Sequence, residues 1–356
     1  MATHALPVEN GALSLELVAS FSGIRALAWY GDVLCASRGY ELYSARITDE
    51  KIQWDLIGEY HPRWWRSGTS GVRLASRLVR DGFHALARLQ TGNLIAAVPG
   101  AIAILRAGET EFVVSHRLLR GTRPLHIAST PDDRVFWGEY FDNAGRSEVH
   151  IYVSVDGGEE WEVAYTFDKG SIRHVHNIVY DKWGDCLWIL TGDDGRECRI
   201  LRASSDFTTV DEVIAGNQQA RAVAAIPTED GLYFASDTPL EQNHTYHLDR
   251  RGILRRLSEL SSSSIYGCRN SRGMFFSTMV EPSNANLSRK VAIYGSGDGA
   301  RWQPLTAWKK DRWPMKFFQY GNAFLPDGEN TSAFFAATTI AVEGADQQLS
   351  IWRTIF

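Results

Sequence analysis

Two histidines set two positions apart, His174 and His176, are the residues whose type and spacing most directly offer chemistry. On a β-strand, side chains two positions apart project from the same side. Such a pair can supply a general base, or it can hold a divalent metal ion with a further ligand, for which His126, His244 and Gln219 are candidates. The same spacing is equally consistent with a structural role, in which one imidazole faces a channel and the other is hydrogen-bonded inside a sheet. One divalent metal ion is the only candidate cofactor.

A base combined with a cation would suit the cleavage of an anionic sugar chain. In a lyase, His174, His176 or Tyr266 would abstract the proton beside a uronate carboxylate, and an arginine or a metal ion would neutralise that carboxylate. The arginine candidates are Arg173, Arg221 and Arg269. In a hydrolase, two carboxylates would act, one of them with a raised pKa as the acid. The carboxylate candidates are Glu139, Asp193, Asp237 and Glu241.

The longest insertion, residues 61–80, places adjacent tryptophans beside several arginines. Trp64 and Trp65 can stack on a sugar ring, and Arg66 can bind a carboxylate through two hydrogen bonds. A loop whose tryptophans cover a neighbouring sheet is an equally good interpretation. The other residues predicted to contact a saccharide are His84, Arg123, His126, Arg173, Gln219, Arg221, Glu241, Arg269 and Gln319.

The elements that must position these side chains are short β-strands. Seven segments share a run of apolar or aromatic residues, then small residues, then a polar turn, and no long stripe of helical period occurs. These segments are residues 33–37, 94–98, 135–139, 187–193, 232–237, 274–278 and 333–337. Repeats of roughly 40 to 50 residues with four strands each are typical of β-propellers.

The sequence therefore predicts an all-β fold, a single seven-bladed β-propeller over residues 1–356 with four-stranded antiparallel blades. The expected blades are residues 23–60, 81–118, 123–167, 171–214, 218–260, 263–308 and 316–356, the last completed by an N-terminal strand at 13–21. This closure would remove exposed sheet edges. The residues at nearly equivalent places in four successive inner strands are predicted to converge at one mouth of the central channel. They are His84, His126, His176 and Arg221.

A turn motif recurs between the predicted third and fourth strands. Residues 154–161 read S-x-D-x-G-x-x-W, residues 296–302 are a shorter copy, and residues 204–207 are a degenerate one. The aspartate can bond its own backbone and glycine permits positive φ, as a hairpin turn requires. The motif resembles the Asp-box (BNR) repeat of the sialidase-like β-propellers, a group rich in carbohydrate-active proteins. That resemblance implies folding turns at the bottom of the propeller and no catalytic residue.

The predicted set of histidines and glutamines at the channel mouth also resembles, loosely, that of the seven-bladed polysaccharide and oligosaccharide lyases. The resemblance implies that a metal ion or an arginine neutralises a uronate carboxylate while a basic side chain removes the adjacent proton.

The overall composition excludes some partners. The net charge of −5 argues against nucleic acid, which usually needs a basic face. No apolar run reaches the roughly 18 residues of a membrane span, and residues 1–6 show no signal segment, so we expect a cytoplasmic protein without a membrane partner. The four cysteines form no disulfide framework and are expected to be reduced.

These patterns favour an enzyme that cleaves glycosidic bonds of a uronate-containing oligo- or polysaccharide at the channel mouth, with lyase chemistry ahead of hydrolase chemistry. A saccharide is then the expected partner. Two further hypotheses are a module that binds an anionic glycan without cleaving it and a propeller that serves as an interaction scaffold.

Overall fold

The computed structural model of the protein describes residues 12–48, 51–70 and 72–356. Across these residues the chain forms 29 strands and only three short α-helices, which confirms the all-β prediction. Of the 29 strands, 28 belong to seven four-stranded antiparallel groups, which we call blades 1 to 7 in chain order. The prediction that residues 1–356 form a single domain stays a prediction, and the prediction about a signal segment at residues 1–6 lies outside the described residues.

The N-terminal strand β1 (Ser14–Ser22) belongs to the last blade, although it comes before blade 1 in the chain. Blade 1 contains β2 to β5, at Arg25–Gly31, Val33–Arg38, Glu41–Arg46 and Asp55–Tyr60. Blade 2 contains β6 to β9, at Ala85–Arg88, Leu94–Val98, Ala101–Leu105 and Glu111–Arg117. Blade 3 contains β10 to β13, at Ala128–Ser129, Val135–Gly138, Val149–Ser154 and Glu162–Phe167.

The remaining four blades follow the same order, with the inner strand first. Blade 4 contains β14 to β17, at Val175–Asp181, Cys186–Thr191, Arg199–Ala203 and Val210–Ala215. Blade 5 contains β18 to β21, at Ala222–Thr228, Gly231–Ser236, His244–Asp249 and Leu254–Glu259. Blade 6 contains β22 to β25, at Ser264–Arg269, Met274–Thr278, Lys290–Ser296 and Gln303–Lys309. Blade 7 contains β26, β28 and β29, at Asn322–Phe324, Phe334–Ile340 and Gln348–Ile355, together with β1.

The two ends of the described chain meet in blade 7. Strand β1 is antiparallel to β29, with Ser14 opposite Ile355 and Ser22 opposite Gln348, which is the pairing expected from the sequence. The remaining strand, β27 (Asp327–Asn330), leaves blade 7 and pairs in parallel with β2 of blade 1. Blades 7 and 1 are therefore joined by backbone hydrogen bonds at the channel.

The core lies between neighbouring blades. Strands β7 and β8 are buried at every position and are built from alanine with branched aliphatic residues, so adjacent blades can approach closely. Gly138 shows how close this approach is, because a Cβ there would lie 2.4 Å from Val175 of the next blade. Burial of apolar area at roughly 25 cal/mol per Å² makes these contacts the main stabilising contribution.

The insertion at residues 61–80 is helical rather than the loop that the sequence indicates. Helices α1 (Trp64–Ser70) and α2 (Arg73–Val79) are each seven residues long, too short to be stable alone. Arg77 of α2 is fully buried, and its guanidinium lies 2.7 Å from Asp311 and 3.2 Å from Asp346. It also donates to the carbonyl of Phe318, at the end of α3 (Met315–Phe318). This tertiary ion cluster fixes the helices on the propeller.

The turn motifs form the expected hydrogen bonds. Between β12 and β13, Asp156 accepts from the Ser154 hydroxyl and from the backbone N–H groups of Glu159 and Glu160, at 2.8 to 3.1 Å. Asn93, in the turn between the first and second strands of blade 2, donates to the Gly157 carbonyl at 3.1 Å. The motif therefore lies at the end of the propeller where first and second strands connect, which we call the lower end.

Two further expectations can be compared with the structure. All four cysteines are free thiols, as predicted. Among the helices in the described part of the chain, none has the length and apolar character needed to cross a bilayer.

Candidate functional site

A cavity of about 430 Å³ opens at the upper end of the channel, opposite the turn motifs. Inner strands begin there and second strands end there, so side chains from several blades meet, as the sequence predicts. We call this cavity the mouth. The predicted site residues that line it are His84, Arg123, His176, Asp193, Arg221, Asp237, Tyr266 and Gln319.

Blade 4 supplies the closest cluster of predicted residues. His174 immediately precedes β14, His176 is the second residue of β14, and Asp193 follows β15. The Nε2 atoms of the two histidines are 3.1 Å apart, and each lies 3.5 Å from an oxygen of Asp193. All three side chains are largely buried. The structure thus brings the predicted histidine pair together, with Asp193 beside it instead of His126 or His244.

The other ring nitrogen of each histidine faces a backbone carbonyl. His174 Nδ1 lies 3.2 Å from the Phe141 oxygen, and His176 Nδ1 lies 2.9 Å from the Ala222 oxygen. A carbonyl only accepts, so each Nδ1 carries the hydrogen and donates it. In neutral imidazoles, both Nε2 atoms then hold lone pairs directed at one another. Burial lowers the pKa of His176, with a partial offset from Asp193.

Asp193 is the centre of a wider ion network. Arg173 lies 3.2 Å from one of its oxygens and Arg221 lies 3.3 Å from the other. Burial opposes ionisation of Asp193, but the adjacent imidazoles of His174 and His176 hold the pKa of its carboxyl well below the usual range.

The two arginines beside Asp193 have further acidic partners. Arg173 also pairs with Asp142 at 2.8 Å, and Arg221 lies 3.6 Å from Asp237. Burial raises the pKa of Asp237 to about 8 despite this arginine. On this side of the mouth every arginine therefore has a carboxylate neighbour.

The opposite side of the mouth carries cations with a different environment. Arg25, Arg80 and Arg123 all line it, and within the described ranges none of them forms an ion pair with a carboxylate. Arg123 donates to the Arg80 carbonyl at 2.7 Å, and Arg25 lies 3.3 Å from both Nδ1 and the carbonyl oxygen of His84. The guanidinium of Arg25 lies 4.0 Å from the Phe324 ring centroid, and its Nε is buried with no hydrogen-bond partner.

Burial lowers the pKa values of the basic groups on this side of the mouth. Burial, with added repulsion from Arg25 and Arg80, lowers the pKa of Arg123 to about 9. Burial also lowers the pKa of Arg25, with a partial offset from Tyr266 and Asp327. Burial, together with repulsion from Arg123 and Arg25, lowers the pKa of His84 well below its usual value. Tyr266 lies among these groups, and burial raises its pKa to about 12. A phenol with that pKa is poorly suited to act as a base near neutral pH.

Sequence reasoning missed three residues of the mouth region. Arg25 and Arg80 were not selected, although Arg25 starts the inner strand of blade 1 at the same register as the predicted residues, a signal that could have found it. Arg80 is presented by the end of α2, which the sequence does not indicate. Gln218 supports the site with its side chain, donating to the Asp193 carbonyl at 3.0 Å and accepting from Thr238 at 2.7 Å. The predicted neighbour Gln219 does not line the mouth.

Two predicted residues lie deeper in the channel. His126 and Arg269 line a second cavity of about 650 Å³ at the lower end. His126 Nδ1 lies 3.1 Å from Asp327 of β27, and Arg269 lies 5.1 Å from the Trp183 ring centroid. The prediction that His126 shares the mouth with His84 and His176 is not met. The inner strand of blade 3 is only two residues long, so counting back along a regular strand misplaced His126.

Three other predicted residues contact their own blades rather than the mouth. Glu139 is buried, pairs with Arg120 through both oxygens and accepts from the His150 backbone, so its carboxylate is fully used by the fold. His244 is buried in β20, and its Nδ1 lies 2.9 Å from the Gln242 carbonyl oxygen. Glu241 is exposed in the adjoining turn.

The predicted aromatic platform lies on α1, outside the mouth. Trp64 is 87% exposed, and the ring of Trp65 is covered by the guanidinium of Arg66 at 4.4 Å. Arg66 in turn pairs with Asp81 at 2.7 Å. Gln319 does line the mouth, but its side-chain amide donates to the Arg77 carbonyl at 2.7 Å.

Comparisons with known proteins define the class of fold. A chain in the crystal structure of the mitotic checkpoint complex aligns with a TM-score of 0.57 at 10% identity, covering 99% of both chains. The WD40 β-propeller domain of Doa1 aligns with a TM-score of 0.56 at 11% identity, covering 95% of this chain and 96% of that one. No family model and no curated protein matches the sequence. The chain has a β-propeller fold like that of WD40 domains, and neither sialidase-like nor lyase family membership is supported.

The prediction of a glycan-cleaving enzyme is wrong. The solved structures that the chain resembles are a chain of the mitotic checkpoint complex and the WD40 β-propeller domain of Doa1, not carbohydrate-active enzymes. The candidate carboxylates Glu139, Asp193 and Asp237 each lie beside an arginine of the same chain.

Proposed function

We propose that this protein is a non-catalytic, seven-bladed interaction propeller that binds an acidic segment of a partner protein at the mouth. The observation that carries the proposal is the set of three arginines, Arg25, Arg80 and Arg123, which line one side of the mouth without a carboxylate partner in the described part of the chain. A cytoplasmic location belongs to the same proposal.

Electrostatics supports an anionic ligand. Partly buried cations without counter-charges lose hydration and repel one another, as the lowered pKa values of Arg25 and Arg123 indicate. A carboxylate that enters the mouth would relieve this cost and accept charge-assisted hydrogen bonds from the guanidinium groups. Ligand binding would then offset the unfavourable free energy of burying these arginines in the mouth.

Exposed apolar side chains near the mouth favour a protein over a saccharide. Helices α1, α2 and α3 expose Trp64, Leu78 and Phe317. Arg77 connects α2 with α3, Arg66 of α1 donates to the Val79 carbonyl of α2 at 3.3 Å, and Arg80 at the end of α2 lines the mouth. An apolar patch beside a charged pocket suits a peptide with acidic and apolar residues, since aromatic side chains commonly anchor protein interfaces.

The test is direct binding of labelled peptides, measured by fluorescence anisotropy. A peptide with clustered Glu and Asp next to Leu and Phe should bind, while the same peptide with Lys in place of the acidic residues should not. The R25Q/R123Q variant should weaken binding at least about tenfold, and binding should weaken as salt concentration rises. The control variant R255Q changes an exposed arginine on β21, the outer strand of blade 5, and should bind like the wild type.

Two results would contradict the proposal. The first is equal binding of the acidic and basic peptides. The second is unchanged affinity in R25Q/R123Q while R255Q and the wild type also bind. A uronate oligosaccharide that competes for the mouth when no acidic peptide binds would instead identify a glycan-binding module.

A further inference from the structure

We infer that His174, His176 and Asp193 form a binding site for one divalent first-row transition-metal ion of the Zn²⁺ type. The site lies within blade 4 and is separate from the arginines that would bind an acidic partner. It therefore does not depend on the proposed function.

The first argument is the direction of the lone pairs. Both Nδ1 atoms are engaged by the carbonyls of Phe141 and Ala222, so both neutral rings present Nε2 as an acceptor. The two Nε2 atoms are 3.1 Å apart, with the Asp193 carboxylate next to them. Three acceptor groups separated by 3.1 to 3.5 Å repel one another unless a cation lies between them.

The second argument is distance. Zinc lies about 2.0 to 2.2 Å from nitrogen and carboxylate ligands in tetrahedral sites, which places neighbouring ligand atoms roughly 3.3 Å apart. The observed separations are 3.1 Å between the nitrogens and 3.5 Å from each nitrogen to Asp193. One ion can therefore contact both nitrogens and the carboxylate without a large rearrangement.

The alternative cation is a proton shared between the two imidazoles. A shared proton would explain the separation of 3.1 Å but would leave each Asp193 oxygen 3.5 Å from its histidine, beyond the usual hydrogen-bond range of about 2.7 to 3.2 Å. An ion at the centre satisfies all three groups together. Two imidazoles and a carboxylate suit Zn²⁺, Fe²⁺, Ni²⁺ or Cu²⁺, whereas Mg²⁺ and Ca²⁺ prefer sites made of oxygen alone.

The surroundings resemble the supporting contacts of metal sites. The carbonyls of Phe141 and Ala222 fix the ring orientation, a role that outer-shell partners have in metalloproteins. Arg173 and Arg221 contact Asp193, but a carboxylate has about four lone-pair positions, so these contacts leave room for an ion. Since His176 and Asp193 line the mouth, the fourth coordination position would open into the cavity.

The experiment measures Zn²⁺ binding to the full chain after treatment with a chelator. Isothermal titration with Zn²⁺ should give one site per chain, and metal analysis after dialysis should find about one ion per chain. H176N and D193N should each weaken binding on the order of 100-fold. H244N is the matched control, because His244 is also buried with one ring nitrogen facing a carbonyl, and it should bind like the wild type.

A second measurement does not depend on how the variants fold. Co²⁺ added to the stripped wild-type protein should produce the visible absorption bands of a four-coordinate ion, and added Zn²⁺ should remove them, while Mg²⁺ should have no effect. Absence of Zn²⁺ uptake by the wild type would overturn the inference and assign a shared proton to the histidine pair. Equal uptake by the wild type and by folded H176N would also overturn it.

Discussion

The two sides of the mouth contain similar residues in opposite electrostatic states. On the blade 4 and 5 side, Arg173 and Arg221 each lie near two carboxylates. On the other side, Arg25, Arg80 and Arg123 form no ion pair with a carboxylate within the described residues, and Asp327 acts on Arg25 only from a greater distance. Ion pairs hold side chains in one arrangement. Buried cations without an ion pair are unfavourable in free energy, as the lowered pKa of Arg123 indicates, and binding of an external anion can reduce that unfavourable contribution. Under the proposed function, one side serves the fold and the other serves a ligand.

The sharpest test of this comparison is to remove an arginine that is fully paired. R77M would leave Asp311, Asp346 and the Phe318 carbonyl without their shared guanidinium partner. We expect a loss of about 3 kcal/mol in the free energy of unfolding, because the buried Asp311 and Asp346 each lose one of two cationic partners and keep only Lys310 and Arg73. Urea unfolding followed by circular dichroism measures it. A loss below about 1 kcal/mol would show that the pairing around α2 contributes little.

A second test uses the raised pKa of Asp237, about 8 in the folded protein against about 3.9 in unfolded chains. The folded state then holds a proton that the unfolded state releases, so stability falls as pH rises from about 4 to 8. D237N removes this loss, and we expect it to be more stable than the wild type by about 2 kcal/mol at pH 8 and nearly equal at pH 4.5.

This pH dependence should be measured on protein treated with a chelator, by urea unfolding at both pH values. If the difference between D237N and the wild type were the same at pH 4.5 and pH 8, Asp237 would not titrate in this window, and its pairing with Arg221 would dominate.

A smaller effect is expected at the lower end, far from both sides of the mouth. D156A would remove the acceptor for the Ser154 hydroxyl and for two backbone N–H groups in the turn of blade 3. We expect a loss of about 1 kcal/mol, because the turn is exposed and water can replace part of these bonds. Thermal unfolding measures it, and peptide binding at the mouth should be unchanged. Altered binding would show that the two ends are coupled.

The smallest change in stability is expected for an unpaired arginine. R123Q removes repulsion toward Arg25 and Arg80, so its free energy of unfolding should equal that of the wild type or exceed it by less than about 1 kcal/mol. Its affinity for the acidic peptide should nevertheless fall. A loss of stability close to that of R77M would contradict the distinction between the two sides.

Some of this architecture was predictable because it repeats. The short runs of small and branched residues recur in every blade, and strand period and turn chemistry are local properties. The inner strands all begin at the same end, so His84, His176 and Arg221 could be placed at one mouth from the register alone. His126 could not, because its blade has an inner strand of two residues, an irregularity that no local pattern indicates.

The sequence by itself determined the β-strand repeat, the turn motifs and the face on which polar residues gather, since each depends on neighbours along the chain. Only the tertiary structure decided which of those residues are paired. Asp193 lies beside the histidines of its own blade and pairs with Arg221, which precedes the next blade. Glu139 pairs with Arg120, and α2 is bound by partners more than 200 positions away in the chain. Charge pairing depends on distances through space, and those distances leave Arg25, Arg80 and Arg123 without an ion pair in the described part of the chain.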